Sequence, residues 1–342
     1  MPKGTQGGSF RETDIRPDSL MKGQAERFAA DVRRLLERKA EFVEVSCPAC
    51  DSGEAREAFH KNELRYVTCV ACETMYISPR PTPEILEMYY STSENYAYWN
   101  AHIFPASEDA RRERIFRPRA ERVVEFCERY GVPRGTLLEV GAGFGTFCEE
   151  VRRLDFFKRL VAVEPTPDLA ETCRRRGLEV IEKPIEQIEF EEQAVDVIVS
   201  FEAIEHMFSP GDFVRQASRI LSPEGLLILT CPSAKGFDVV VLEAASDTVD
   251  PEHLNYFHPA SLSLLVESCG FRVLEVQTPG KLDAELVRKK VLSNQFDLSS
   301  QPFLRQLLID EWDRMAEPFQ QFLADNNLSS HMWLVAKKEG SN

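Results

Sequence analysis

The stretch "LLEVGAGFGTFCEEV" (137–151) restricts the fold more than any other part of the chain. An apolar run stops at a turn carrying Gly141, Gly143 and Gly145, and a helical pattern starts directly behind it. Glycine enters such turns at positive φ without strain and lets another group approach the backbone, so the unit reads as strand, tight turn, helix. Short apolar runs of the same kind follow: "LVAVE" (160–164), "LEVIE" (178–182), "VDVIVSF" (195–201), "GLLILTC" (225–231), "FRVLEVQT" (271–278) and "HMWLVAKK" (331–338). Strand alternating with helix predicts an α/β fold with a mainly parallel sheet covered on both faces. Segment 283–326 reads as a helical insertion before the last strand.

The glycine turn also predicts a ligand. Amides at the start of the following helix favour a carboxylate or phosphate. Glu164, at the tip of the next strand and 19 residues after Gly145, is placed to take both hydroxyls of a ribose. A dinucleotide fingerprint wants Gly or Ala where Thr146 stands. The form Glu139-x-Gly141-x-Gly143-x-Gly145 suits S-adenosylmethionine better, with its acid just before the turn. A turn that only packs strand on helix is the plain alternative.

Nine cysteines divide into two groups. Cys47, Cys50, Cys69 and Cys72 form two C-x2-C pairs with 18 residues between them. That spacing lets two tight turns close a tetrahedron of thiolates around Zn²⁺, a closed structural site in a module too small to build its own core. The other five are scattered through apolar or helical stretches, which argues against a disulfide framework. The N-terminus is polar and no apolar run approaches a membrane span, so a cytoplasmic location is the expectation. Net charge is −15, which weighs against gripping nucleic acid. Arginine-rich 109–126 and 173–179 read as solvated helix faces.

The organisation expected is a loose tail over 1–20 with a helix at 21–40, then the zinc-ribbon module at 41–82. A helical connector or lid at 83–130, with helices from Pro83 to about Asn100 and over 107–130, leads into the α/β domain at 131–342.

From 136 to 280 the sequence resembles class I S-adenosylmethionine-dependent methyltransferases: the glycine loop is followed by "AVDVIVSFEAIEHM" and "LSPEGLLILTCPS". The cysteine module running into "MYISPRPTPEILEMYY" is similar to that of bacterial C-methyltransferases acting on nucleotide-linked deoxysugars, and of related enzymes in surface-polysaccharide clusters. The resemblance implies a seven-stranded Rossmann-like sheet in the order 3-2-1-4-5-7-6. It implies cofactor contacts from Glu139, Gly141, Gly143, Gly145 and Glu164, from Glu186 near the adenine, and from Phe201 and Glu202 at the tip of the fourth strand. The second nucleotide-fold domain of the sugar C-methyltransferases has no counterpart here, so 283–326 and the N-terminal module are expected to complete the substrate pocket.

"TVDPEHLNYFH" (248–258) holds two of the six histidines. In the sugar enzymes a Glu-His pair in this loop is implicated in proton abstraction; Glu252 and His253 match it, while Asp250 stands where a tyrosine is usual. A neutral imidazole near the methyl donor suits removal of a proton from a weakly acidic acceptor. His253 is thus the candidate base, with Glu252 and His206 beside it; a packing role for His253 is the competing reading. Metal binding by His253 with His258 is disfavoured by their spacing and by Pro259, and His258 is expected to be structural. Tyr89, Tyr90, Tyr96 and Tyr98 read as a lid or as packing. The function expected is methyl transfer to a small molecule, a nucleotide-linked or polysaccharide sugar, at oxygen or carbon. An RNA methyltransferase and a non-enzymatic zinc-module binding protein are the rivals.

Overall fold

The chain builds two sheets, and a loop between strands of the larger one supplies the last strand of the smaller, which places the site. The computed structural model describes residues 12–188 and 190–339. The strands are β1 (Ala55–Lys61), β2 (Leu64–Cys69), β3 (Met75–Ile77), β4 (Thr136–Val140), β5 (Arg159–Val163), β6 (Glu179–Ile181), β7 (Val195–Phe201), β8 (Leu221–Pro232), β9 (Asn255–Tyr256), β10 (Phe271–Gln277) and β11 (His331–Lys338).

The larger sheet runs β10-β11-β8-β7-β4-β5-β6. Counted within this sheet, that is the order 3-2-1-4-5-7-6 expected from the sequence. The pairings from β6 to β8 are parallel, and β11 is antiparallel to both neighbours. Alternate residues face opposite sides. Leu138, Val140, Ile198 and Leu227 join one buried cluster, while Leu137, Val197, Val199 and Leu226 join the other. Each such apolar side chain stabilises the fold by roughly 1.5–3 kcal/mol through burial. Helices Pro210–Ile220 and Pro259–Ser268 cover the first face, and Arg117–Tyr130 and Thr146–Arg153 the second.

The smaller sheet runs β1-β2-β3-β9. The first three strands belong to the cysteine module. The fourth comes from the loop at 248–258, with Met75 paired to Tyr256 and Tyr76 to Asn255. The module is therefore hydrogen-bonded into the loop that carries Glu252 and His253.

The N-terminal helices differ from expectation. Residues 1–11 lie outside the described residues, but 12–20 are not a loose tail. Glu12–Ile15 is helical, and a helix starts at Asp18 and runs to Glu37. The helix predicted over Pro83 to Asn100 breaks at Ser93, whose Oγ caps a second helix by accepting from Tyr96 N at 3.1 Å. Buried Asp31 supports the break: it accepts from Ser93 Oγ, Glu94 N and Asn95 N at 2.6–3.1 Å. Helical structure then continues to Tyr130, with π-helical turns at Trp99–Ile103 and Arg112–Phe116. The insertion is helical as expected, with helices Asp283–Leu292, Pro302–Arg305 and Trp312–Asp325. No helix among the described residues is long and apolar enough to cross a membrane.

Candidate functional site

The glycine loop joins β4 to the helix Thr146–Arg153. Gly141, Gly143 and Gly145 adopt φ of +77°, +54° and +71°. A Cβ on Gly145 would lie 2.6 Å from Leu178 Cδ1 and 3.0 Å from Cys173 Sγ, so close packing requires glycine there. At Gly143 a Cβ would meet open space, which leaves the backbone approachable. Glu164, just past β5, bridges the loop and the next turn. Its Oε2 accepts from Gly143 N at 2.8 Å and its Oε1 from Thr166 N at 2.9 Å. Burial raises its pKa, although these amides favour the anion.

Glu139 lies beneath the loop in β4. Its carboxylate accepts from Cys148 Sγ at 3.0 Å, and burial pushes its pKa up to about 8. Phe144, at the crest of the loop, stacks on Phe104 with ring centroids 3.5 Å apart. Glu186 falls in the turn Ile185–Gln187, its side chain outside the described residues.

At the end of β7, Phe201 and Glu202 part company. Phe201 is 8% exposed, packs on Phe147 and Trp333, and lies under the Arg119 guanidinium. Its ring is core rather than cleft surface. Glu202 takes φ +51° and faces outward: although protein surrounds it on most sides, its side chain keeps 41% accessibility. Burial opposes its ionisation. His331, Arg119 and Thr230 outweigh that and hold its carboxyl at about 2.

The loop at 248–258 arrives beside this point. Asp250 shapes it: its Oδ1 accepts from Glu252 N at 2.8 Å and His253 N at 3.0 Å. It therefore orients the Glu-His pair by a local turn rather than supplying a phenol. Tyr89 OH donates to Glu252 Oε1 at 2.6 Å and Tyr96 OH to Oε2 at 3.4 Å. Burial first, and Asp250 second, push the Glu252 pKa up to about 7 against these donors.

His206 and His253 stack edge to face with centroids 4.7 Å apart. His253 Nδ1 lies 2.8 Å from Thr248 O, and His206 Nδ1 lies 3.0 Å from Glu252 O. Carbonyls only accept, so both Nδ1 atoms carry the proton and each Nε2 keeps its lone pair. Burial, then the neighbouring His253, pushes the His206 pKa down to about 4. Tyr90 OH reaches His206 Nδ1 at 3.3 Å. Tyr98 bonds instead to Leu20 O, away from this group. His258 stands apart as expected: its Nε2 bonds Cys72 O at 2.8 Å, and its N donates to Ser261 Oγ at the start of a helix.

Two further residues position the group, Asn255, which the sequence suggested as bonding to backbone, and Arg80, which it did not single out. Asn255 Nδ2 donates to the carbonyls of Ile204, Glu205 and Met207, tying the His206 turn to the His253 loop. Arg80, 1% exposed, donates from Nη1 to Asn255 Oδ1 at 3.0 Å and Phe208 O at 3.1 Å. It comes from the C-terminal end of the cysteine module, where its backbone pairs with Val43.

In the module itself, Cys47 and Cys72 Sγ lie 3.4 Å apart, and Cys50 and Cys69 Sγ 3.5 Å. All four sulfurs lie within 4.8 Å of one another. Disulfide sulfurs sit about 2.05 Å apart. A tetrahedron with metal–sulfur bonds of about 2.3 Å has edges of about 3.8 Å, so this donor set fits Zn²⁺.

Residues 110–276 match the model of a methyltransferase domain family. The chain is 30% identical over 165 residues to the C-methyltransferase NovU of Streptomyces niveus, covering 46% of this chain and 38% of that protein. It is 36% identical over 98 residues to a ubiquinone biosynthesis O-methyltransferase of a Caulobacter species, covering 27% of this chain and 39% of that one. The match thus spans about two fifths of each relative's length. Among solved structures, a SAM-dependent methyltransferase from Thermotoga maritima superposes with TM-score 0.47 and 18% identity, over 74% of this chain and 99% of that one. The matched segment contains the glycine loop, Glu164 and the tips of β7 and β8, and over residues 110–276 the chain carries a methyltransferase domain.

Proposed function

We propose that this chain transfers a methyl group from S-adenosylmethionine to a small-molecule acceptor, a nucleotide-linked or polysaccharide sugar, at oxygen or carbon. The observation that carries the reading is the loop at 248–258. Two tyrosines clamp its Glu252, and a turn bonded to Asp250 orients its His253, next to the end of β7. Ligands of α/β sheets sit beyond the carboxyl ends of the strands, where this group lies. The likeness to a C-methyltransferase over part of its length supports a carbon acceptor.

Glu164 and the backbone at Gly143 would hold the nucleoside of the cofactor, Glu202 would lie toward its amino-acid side, and Glu139 would support the loop from beneath. When bound, the sulfonium supplies an activated methyl with a good leaving group. The chain's own work is then alignment and removal of the acceptor's proton. The Glu252–His253 pair receives that proton: His253 Nε2 bears a free lone pair, and Glu252 titrates near neutrality. The four cysteines would hold a structural Zn²⁺, which would let the module offer β3 to β9 and steady the loop.

An RNA acceptor has less support. Arg112 and Arg176, from the arginine-rich segments, are paired with Glu108 and Glu149 at 2.5–2.8 Å rather than presented to phosphates. The deciding experiment offers labelled cofactor to a panel of nucleotide sugars and to RNA, with product mass and position determined. Label in a sugar supports the reading, and label only in RNA overturns it. His253→Ala should lower turnover on the order of 10²- to 10⁴-fold with cofactor affinity intact. Unchanged turnover would make His253 structural.

A further inference from the structure

Glu205 stands out among the described residues. It is 1% exposed, and neither carboxylate oxygen has a hydrogen-bond partner. Its backbone is firmly placed: Glu205 O accepts from Leu254 N at 2.8 Å and from Asn255 Nδ2 at 3.2 Å. A buried carboxylate with no partner costs several kcal/mol unless a cation or a proton meets it.

Next to it stand the two imidazoles. Each donates Nδ1–H to a backbone carbonyl, His206 to Glu252 and His253 to Thr248. Metal-binding histidines are commonly oriented this way, one ring nitrogen fixed by a carbonyl and the other turned to the ion. One donor atom from each of Glu205, His206 and His253 lies within 4.8 Å of the others. Donors around a single ion at about 2.1 Å stand about 3–4.2 Å apart, so at most a modest closure completes the set.

We infer that Glu205, His206 and His253 form a binding site for a divalent first-row transition-metal ion, separate from the cysteine cluster. Two imidazoles and one carboxylate suit manganese, iron, cobalt or zinc better than magnesium or calcium, which prefer all-oxygen sets. Three protein ligands leave coordination positions free. The His253 side chain keeps 17% accessibility, so the set is not sealed. This rests on reading the loop as the acceptor site and deepens it: the acceptor is one that offers oxygen donors to the ion. With His253 committed to the ion, Glu252 is the member of the pair left to receive the proton.

The test uses the full-length chain with its cysteines loaded with zinc. Co²⁺ is titrated in while visible absorption is followed. Expected is one equivalent of Co²⁺ with weak d–d bands and no thiolate charge-transfer band. Affinity should fall at least tenfold in Glu205→Gln and in His206→Gln. Glu205→Gln replaces a buried carboxyl that has no hydrogen-bond partner with a neutral isostere, so it should fold about as well as the parent, and near-ultraviolet circular dichroism checks both variants. Calorimetry should show unchanged S-adenosylmethionine binding in each. No Co²⁺ uptake, uptake showing only the thiolate band, or an affinity in both variants equal to the parent's overturns the site. Methyl transfer is read separately. Co²⁺ binding without transfer counts against the acceptor reading alone, and transfer without Co²⁺ binding counts against the ion alone.

Discussion

Glu252 offers a sharp test of the site's electrostatics. Burial and Asp250 hold its folded pKa at about 7, against 4.5 for an ordinary glutamate. Each tenfold change in proton affinity is worth about 1.4 kcal/mol, so ionising Glu252 in the folded protein costs roughly 3 kcal/mol more than in the unfolded chain, as an upper bound. The sign follows from the raised value. Below about pH 4.5 the carboxyl is protonated in both states and carries no penalty. The penalty grows as pH rises and is complete above about pH 7. Glu252→Gln removes the titrating proton and keeps an oxygen that Tyr89 can reach. Relative to the parent, the variant should be near neutral at about pH 5 and more stable by roughly 2–3 kcal/mol at about pH 8. Urea unfolding of both proteins at the two pH values measures this, and the difference between differences cancels the other carboxyls. A variant equally destabilised at both pH values would refute the reasoning, because Glu252 would then matter for its hydrogen bonds and not for its charge.

Other consequences are more direct. Cys47→Ser, or chelation, should release zinc and lower the melting temperature, since metal affinity is folding energy in so small a module; a melting temperature indifferent to chelator contradicts the structural ion. Arg80→Met should destabilise by about 2–4 kcal/mol, because two bonds from a charged donor are lost and buried acceptors are left unpaired; denaturant unfolding showing no change would mean that the cost of burying the guanidinium cancels those bonds. Glu164→Ala should weaken cofactor binding about 10- to 100-fold by calorimetry if its carboxylate grips the ribose. A change within threefold would assign Glu164 to loop geometry alone.

Some features were legible because their causes are local. Three glycines at one strand end were readable because positive φ and close approach leave little choice of residue. The sheet's strands were readable because burial on both faces produces continuous apolar runs. Two C-x2-C pairs state their chemistry through spacing, and the sulfurs do converge. The break at Ser93 was missed because the residue that supports it, Asp31, lies 62 positions earlier. Phe201 illustrates the limit of transferring a role by position: it stands at the strand tip, yet its ring turns into the core and Glu202 is the side chain that faces outward.

The sequence by itself determined the α/β sheet, the glycine turn after its first strand and the four-cysteine cluster, because dihedral demands, periodicity and ligand spacing act over a few residues. Only the tertiary structure decided what surrounds Glu252 and His253. Tyr89 reaches Glu252 across 163 positions, Arg80 reaches Asn255 across 175, and His206 meets His253 because the tip of β7 and the β9 loop are folded together. Those contacts set the burial, and burial sets the protonation of each group; neither is encoded within any one segment.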